Sequence, residues 1–183
     1  SAQALSFCQR RGLGLLVRGD ATRLPFPTGS FDLVLALDVV EHLDDDAACV
    51  REMARVCRIG GHVLVHVPAF PLLWNAKDVL NHHPRRYRRA EMQRLIESTG
   101  LTIERFRYVN VLLFPVAVLV ALYTRAFRRE NLENPDPYTL DYLHNIPGVV
   151  NRALIVLLNF ERWLGNHIRL PFGMSLLYLA RKG

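Results

Sequence analysis

Cysteine is scarce in this 183-residue sequence: Cys8, Cys49 and Cys57 are its three thiols, and none sits in a Cys-x-x-Cys pair. That excludes a zinc ribbon and offers no framework for a disulfide scaffold; free thiols on apolar helix faces fit a reducing, cytoplasmic setting. Residues 1–11 hold no apolar signal-peptide core. A long apolar run is missing too. The stretch 109–123 is 15 residues with Asn110 and Pro115 inside it, short of the roughly 20 that a membrane span needs. There is no Gly-rich phosphate loop: Gly12-Leu13-Gly14 follows a helical pattern and precedes an apolar run, the reverse of a nucleotide loop's order. Few aromatics interleave with the basic residues and no RNA-binding signature occurs, so nucleic acid is a disfavoured partner. Internal repeats and low-complexity segments are also lacking.

What remains is a chain that can fold. Half of the residues are hydrophobic and 22% are charged, which excludes wholesale disorder and suits one domain over 1–183. The net charge of +6 is unevenly placed. Residues 1–76 carry 7 basic and 8 acidic groups, 77–129 carry 11 and 4, and 130–183 carry 5 of each. The excess is centred on Arg85, Arg86, Arg88 and Arg89. Such a run reads either as a solvated helix start or as a patch for phosphate or anionic lipid.

Periodicity supplies the elements. Residues 2–11 pattern as a helix stopped by Gly12, 15–17 as a short buried strand, and 24–29 as a loop rich in Pro and Gly. Residues 31–37 (FDLVLAL) are almost continuously apolar, as a parallel strand covered on both faces requires. A helix with an acidic first turn follows over 44–56. Gly60-Gly61 then turns the chain into a strand over 62–67, a helix spans 90–99, and a strand spans 101–108. Strand and helix alternate to about residue 108, which predicts an α/β, Rossmann-like, mostly parallel sheet whose ligands bind at the carboxyl ends of the strands. Residues 109–170 read as an apolar helical cap, with helices near 109–124 and 149–164 and a loop over 135–147. Residues 171–183 hold a final strand.

The segment Gly19-Asp20-Ala21-Thr22-Arg23-Leu24-Pro25-Phe26-Pro27, then Phe31-Asp32-Leu33-Val34, then Asp38-Val39-Val40-Glu41-His42-Leu43 resembles the class I S-adenosylmethionine-dependent methyltransferases, in particular the type 11, ubiquinone/menaquinone-biosynthesis-like branch. Arg58-Ile59-Gly60-Gly61-His62-Val63-Leu64 resembles that family's Lys/Arg-Pro-Gly-Gly turn, with Ile59 in place of Pro. The resemblance implies S-adenosyl-L-methionine as cofactor. It places Asp20 and the Ala21 N–H at the adenine, and Leu37 and Asp38 at the methionine part. His42 borders cofactor or substrate, or else caps a helix. As a lone residue after Gly19, Asp20 reads first as a turn former; Leu24-Pro25-Phe26 following it tips the reading to the adenine contact. The sequence offers no metal site: Asp38, Glu41 and His42 lack a second histidine on the same face.

The acceptor side follows the strand at 62–67. Trp74, Lys77, Asp78, His82, His83, Arg85, Arg86 and Tyr87 crowd there, and Asp78 to Tyr87 resembles the family's D-x-x-x-x-H-x-R-R-Y pattern. Trp74, Asp78, Arg85, Arg86 and Tyr87 are the expected substrate-binding residues, through bidentate arginines or by pinning the loop. His42, His82 or His83 could serve as base for an acceptor hydroxyl. A small-molecule or lipid-linked acceptor is expected. The apolar helices either close over the sheet or meet the inner face of a membrane beside the arginines. The family's Gly-rich loop and its first two strands have no counterpart, so the chain is expected to be the C-terminal part of a longer protein, with an open edge at 31–37 and weak cofactor binding alone. Two other readings stand beside this one. One is a non-catalytic lipid- or membrane-binding module derived from a methyltransferase. The other is a nucleotide-dependent oxidoreductase, which would need a Gly-rich loop and a Tyr-x-x-x-Lys relay.

Overall fold

A computed structural model describes residues 2–127, 147–168 and 170–183. The elements run α1 (Ala2–Arg10), β1 (Phe31–Leu37), α2 (Asp46–Val56), β2 (Cys57–Pro68), α3 (Ala76–Leu80), α4 (Arg89–Glu97), β3 (Leu101–Val109), α5 (Phe114–Phe127), α6 (Gly148–His167) and β4 (Ser175–Lys182). The strands form one sheet in the order β1-β2-β4-β3. β1 and β2 pair in parallel, while β4 runs antiparallel to both β2 and β3. Three strands thus share a direction and β4 opposes them. The loop expected over 135–147 lies, up to residue 146, outside the described residues.

One face of the sheet is closed. Ala36, Val63, Val65, Val67, Leu176, Tyr178 and Ala180 point into a core with Cys49, Val50, Met53 and Ala54 of α2 and Met92 and Ile96 of α4. Each fully buried Val, Ile or Met side chain there contributes about 1.5–3 kcal/mol. α2 starts where Asp45 accepts a 2.7 Å hydrogen bond from the Ala48 amide, an N-cap that satisfies a donor the helix cannot. α4 begins at Arg89 without a Ser or Thr cap; the Glu91 carboxylate instead accepts from the Arg88 amide at 2.9 Å.

The other face corrects two expectations. β1 is not covered on both sides: Leu33, Leu35 and Leu37 are 51%, 54% and 53% exposed, and among the described residues the strand is an edge, paired with β2 alone. Residues 15–17 are not a buried strand. They run as coil, with Leu15 fully exposed and Val17 more than half so. A strand needs a neighbour to take its backbone hydrogen bonds, and among the described residues none lies beside 15–17.

Gly60-Gly61 does not precede β2 but lies inside it. The register slips between Phe31↔Cys57 and Leu33↔His62, so the glycines form a bulge. Gly60 has φ +74°, and a Cβ on Gly61 would sit 2.8 Å from the Asp32 carbonyl and 2.9 Å from that of Arg58. The helical stretches near 109–124 and 149–164 form as α5 and α6, and Pro115 falls in the first turn of α5, where its missing N–H costs nothing.

Candidate functional site

Among the described residues, four other than glycine have positive φ: Asp38 (52°), Phe70 (56°), His82 (54°) and Asn110 (58°). Asp38, Phe70 and Asn110 lie just beyond the carboxyl ends of β1, β2 and β3. The backbone therefore turns sharply at one rim of the sheet, the rim where such folds bind ligands.

At the end of β1, the Asp38 amide donates to the His66 carbonyl at 3.1 Å, and the Asp38 carboxylate meets His66 Nδ1 at 3.0 Å. A single 3-10 turn, Val40–His42, follows. It buries Glu41 completely and leaves His42 exposed. Neither Glu41 carboxylate oxygen has a hydrogen-bond partner. Burial, opposed by Glu41's own backbone amide and reinforced by the charges of Asp38 and Asp78, pushes the Glu41 carboxyl up to about 7.

Beyond β2 the chain leaves and returns. The Phe70 amide donates to the Tyr87 carbonyl at 2.9 Å, and the Tyr87 amide to the Pro68 carbonyl at 3.0 Å, which closes the excursion at its base. Asp78, 2% exposed, holds it together. Its Oδ1 accepts from Arg86 Nε at 2.9 Å and His83 Nδ1 at 3.1 Å; its Oδ2 accepts from Arg86 Nη2 and the Asn75 amide, both at 2.9 Å. Trp74 Nε1 donates to the His83 carbonyl at 3.5 Å. Arg85 and Tyr87 both reach Asp46 in the first turn of α2, at 3.1 and 2.8 Å. Burial first, then the bond to Asp46, raises the Tyr87 phenol far above its ordinary range. Arg86 is thus engaged within the loop by Asp78, whereas the Tyr87 hydroxyl and the Arg85 guanidinium are committed to the start of α2.

The loop brings histidines together. His42 and His83 meet edge to face, with ring centroids 4.5 Å apart, and His42 Nδ1 lies 3.2 Å from the His82 carbonyl. The His82 ring is exposed. The second histidine that spacing within 38–42 does not offer arrives from 41 residues further along the chain.

Asp20 lies at the start of a loop strapped to α2. Leu24 donates its amide to Glu52 at 2.7 Å, and Arg55 donates to the Leu24 and Phe26 carbonyls at 3.0 and 2.8 Å. Asp20 Oδ1 accepts from the Thr22 amide and hydroxyl, both at 2.8 Å, and these bonds hold its carboxyl below the ordinary value. Ala21 is half-buried beside it. Asp20 is close enough to α2 for its charge to act on the Cys49 thiol. Leu37 and Asp38 stand at the rim as expected, but the residues the sequence reading passes over are Glu41 as an unpartnered acid, Asp46 as an anchor, and His66. A Tyr-x-x-x-Lys spacing, also passed over, does occur at Tyr178 and Lys182. It lies on β4, where the tyrosine donates to the Arg89 carbonyl at 2.8 Å and the lysine to the Cys57 carbonyl at 2.9 Å, so the pair forms no relay.

Among the described residues no helix is long and apolar enough to cross a membrane. α5 and α6 nevertheless expose Leu119, Val120, Val149, Val156, Phe160 and Trp163.

Comparison with known proteins follows the same geography. A family described as a methyltransferase domain matches residues 1–65. The "Probable S-adenosylmethionine-dependent methyltransferase" of Mycolicibacterium smegmatis is 39% identical over 88 residues, 47% of this chain and 34% of that protein. The demethylmenaquinone methyltransferase of Mycolicibacterium vanbaalenii is 51% identical over 49 residues, 27% of this chain and 22% of that protein. The chain thus spans about a third, or less, of the length of these relatives. The crystal structure of a SAM-dependent methyltransferase from Thermotoga maritima superposes with a TM-score of 0.58 at 16% identity, covering 99% of this chain and 70% of that one. At that identity the likeness is one of fold.

Proposed function

We propose that this chain, which belongs with the class I S-adenosylmethionine-dependent methyltransferases, takes part in methyl transfer to a small-molecule acceptor and forms the adenine and acceptor sides of the site. The observation that carries the reading is the Asp20–Ala21 turn, strapped to α2 by Glu52 and Arg55 within the stretch that matches the family. Thr22 takes only Oδ1 of Asp20, which leaves Oδ2 to accept from an amino group such as that of adenine. Ala21 supplies a backbone N–H, and Leu37 and Asp38 border the methionine end. His42 lies one turn further on. These donors and acceptors fit the cofactor, which supplies an activated sulfonium methyl. The protein's part is then alignment, which by itself can carry much of a rate. Trp74, Asp78, Arg86 and Tyr87 shape the acceptor loop in this reading, and Arg85 faces the acceptor.

The open edge of β1, with Leu33, Leu35 and Leu37 exposed, supports a sheet that continues beyond β1 in the whole protein. Binding of S-adenosylhomocysteine tests the reading by calorimetry on the full-length protein. We expect one site, weakened at least tenfold by Asp20→Ala. Equal affinity in that variant would overturn the role of Asp20. The 183 residues alone are expected to bind far more weakly than the whole protein.

The exposed apolar residues of α5 and α6 favour a lipid-linked acceptor met at the inner, cytoplasmic face of a membrane. Flotation of the full-length protein with vesicles of anionic lipid checks this; recovery in the unbound fraction alone would count against it.

A further inference from the structure

We propose that Glu41, His42 and His83 form a binding site for a divalent cation of the zinc type, with one carboxylate and two imidazole ligands and one position left open. Each residue offers one ligand atom, and the three lie within 4.8 Å of one another. In a tetrahedral zinc site with bonds of about 2.0–2.2 Å, ligand atoms stand roughly 3.4 Å apart. Closure by at most about 1.4 Å brings the three atoms to that spacing.

Three observations bear on it separately. The first is Glu41. Its carboxylate is wholly buried, and neither oxygen is hydrogen-bonded by another residue. Buried polar atoms are rarely left so, and a buried carboxylate is paired or coordinates a metal. The second is the state of the imidazoles. His83 Nδ1 lies 3.1 Å from Asp78 Oδ1. Asp78 is already paired with Arg86 through two bonds, so its carboxylate accepts and His83 Nδ1 carries the proton. His42 Nδ1 lies 3.2 Å from the His82 carbonyl, which can only accept, so it carries the proton as well. Both rings therefore keep Nε2 as the free lone pair. A carboxylate or backbone carbonyl fixing the far nitrogen of a ligand histidine is the usual outer shell of a zinc site. The third is access. His42 is exposed while Glu41 is buried and His83 half-buried, so the site opens to solvent on one side only. Two nitrogens and one oxygen favour zinc or cobalt over magnesium or calcium, which select oxygen ligands.

This inference does not depend on methyl transfer, and its test does not use it. Tag-free, full-length protein is stripped with a chelator and titrated with cobalt(II), then with zinc in competition against a chromophoric chelator. The expected result is one equivalent bound, with cobalt giving the visible absorption bands of a site of low coordination number that zinc abolishes. Glu41→Gln, His42→Ala and His83→Ala are each expected to weaken zinc by about 100-fold, while His167→Ala leaves it unchanged. Glu41→Gln keeps the side chain's size and removes its charge, and its thermal melt separates lost metal binding from lost fold. Absence of a stoichiometric site in the full-length protein would overturn the proposal. So would folded Glu41→Gln and His83→Ala variants that bind zinc as tightly as the parent.

Discussion

Arg86 and Asp78 face each other through two hydrogen bonds of 2.9 Å, one from Nε and one from Nη2, with side chains 11% and 2% exposed. Asp78 spends its remaining acceptor capacity on His83 and the Asn75 amide. A buried carboxylate with four donors is a fastener for the loop between β2 and α4, because Asn75, His83 and Arg86 tie three parts of that loop to one point.

Removing one partner of such a pair leaves the other charged and dry. Arg86→Ala is expected to lower stability by about 3–5 kcal/mol, read as a shift in the urea midpoint at unchanged slope. Arg86→Lys is expected to recover little, since an ammonium cannot make both bonds. A loss under 1 kcal/mol in the alanine variant would show that the loop is fastened elsewhere.

The β2 bulge makes a sharp demand at Gly61. Its missing Cβ would fall within 2.9 Å of two carbonyl oxygens and the Cys57 sulfur. Backbone atoms cannot swing aside as a side-chain end can, so Gly61→Ala is expected to cost about 1–3 kcal/mol. Gly100→Ala, at φ +81° with open space around it, suffers only from backbone conformation and is expected to cost less. Thermal melts of the two variants check the order.

Burial pushes the Cys49 thiol up to about 11 from 9.0, with the charges of Asp46 and Asp20 adding to the effect. The folded state thus holds the proton more tightly than the unfolded one. Its share of stability is fully present below pH 9 and is lost between pH 9 and 11, about 2–3 kcal/mol in all. Cys49→Ala is expected to flatten that part of the stability–pH curve. At pH 8 a thiol reagent should modify Cys8 quickly and Cys49 and Cys57, both buried, only upon unfolding. Rapid modification of all three would contradict this packing.

An edge strand with three exposed leucines invites association. The 183-residue chain is expected to self-associate and to bind a hydrophobic dye through the Leu33–Leu35–Leu37 face of β1. Leu35→Lys is expected to reduce both, measured by light scattering and dye fluorescence. In the full-length protein the same substitution should instead destabilise the fold if further secondary structure covers that face.

Much of this was legible in the residues. The apolar run 31–37 forms β1, the acidic turn at 44–46 opens α2, and Asp78 with Arg86 lies in one short motif. The missing parts share a cause. Residues 15–17 have a strand's composition, but a strand is a relation to a neighbour, and composition does not record whether that neighbour exists. Spacing likewise cannot show that His42 meets His83, because the contact is created by a loop that leaves β2 and returns. Glu41 looked like the middle of a motif; only burial reveals that it has no partner. Two glycines at 60–61 suit a turn and a bulge alike, and pairing with β1 decides between them.

β4 lies between β2 and β3, which do not touch each other as a ladder. During synthesis β2 and β3 both leave the ribosome before the strand that joins them, with α5 and α6 made in between. Neither can complete its hydrogen bonding until β4 emerges, so about half the sheet waits on a segment made far later. Such long-range pairing slows folding and leaves apolar surface exposed in the interval. A nascent chain arrested within α6 is therefore a substrate for chaperones, however well α2 has packed on β2 by then.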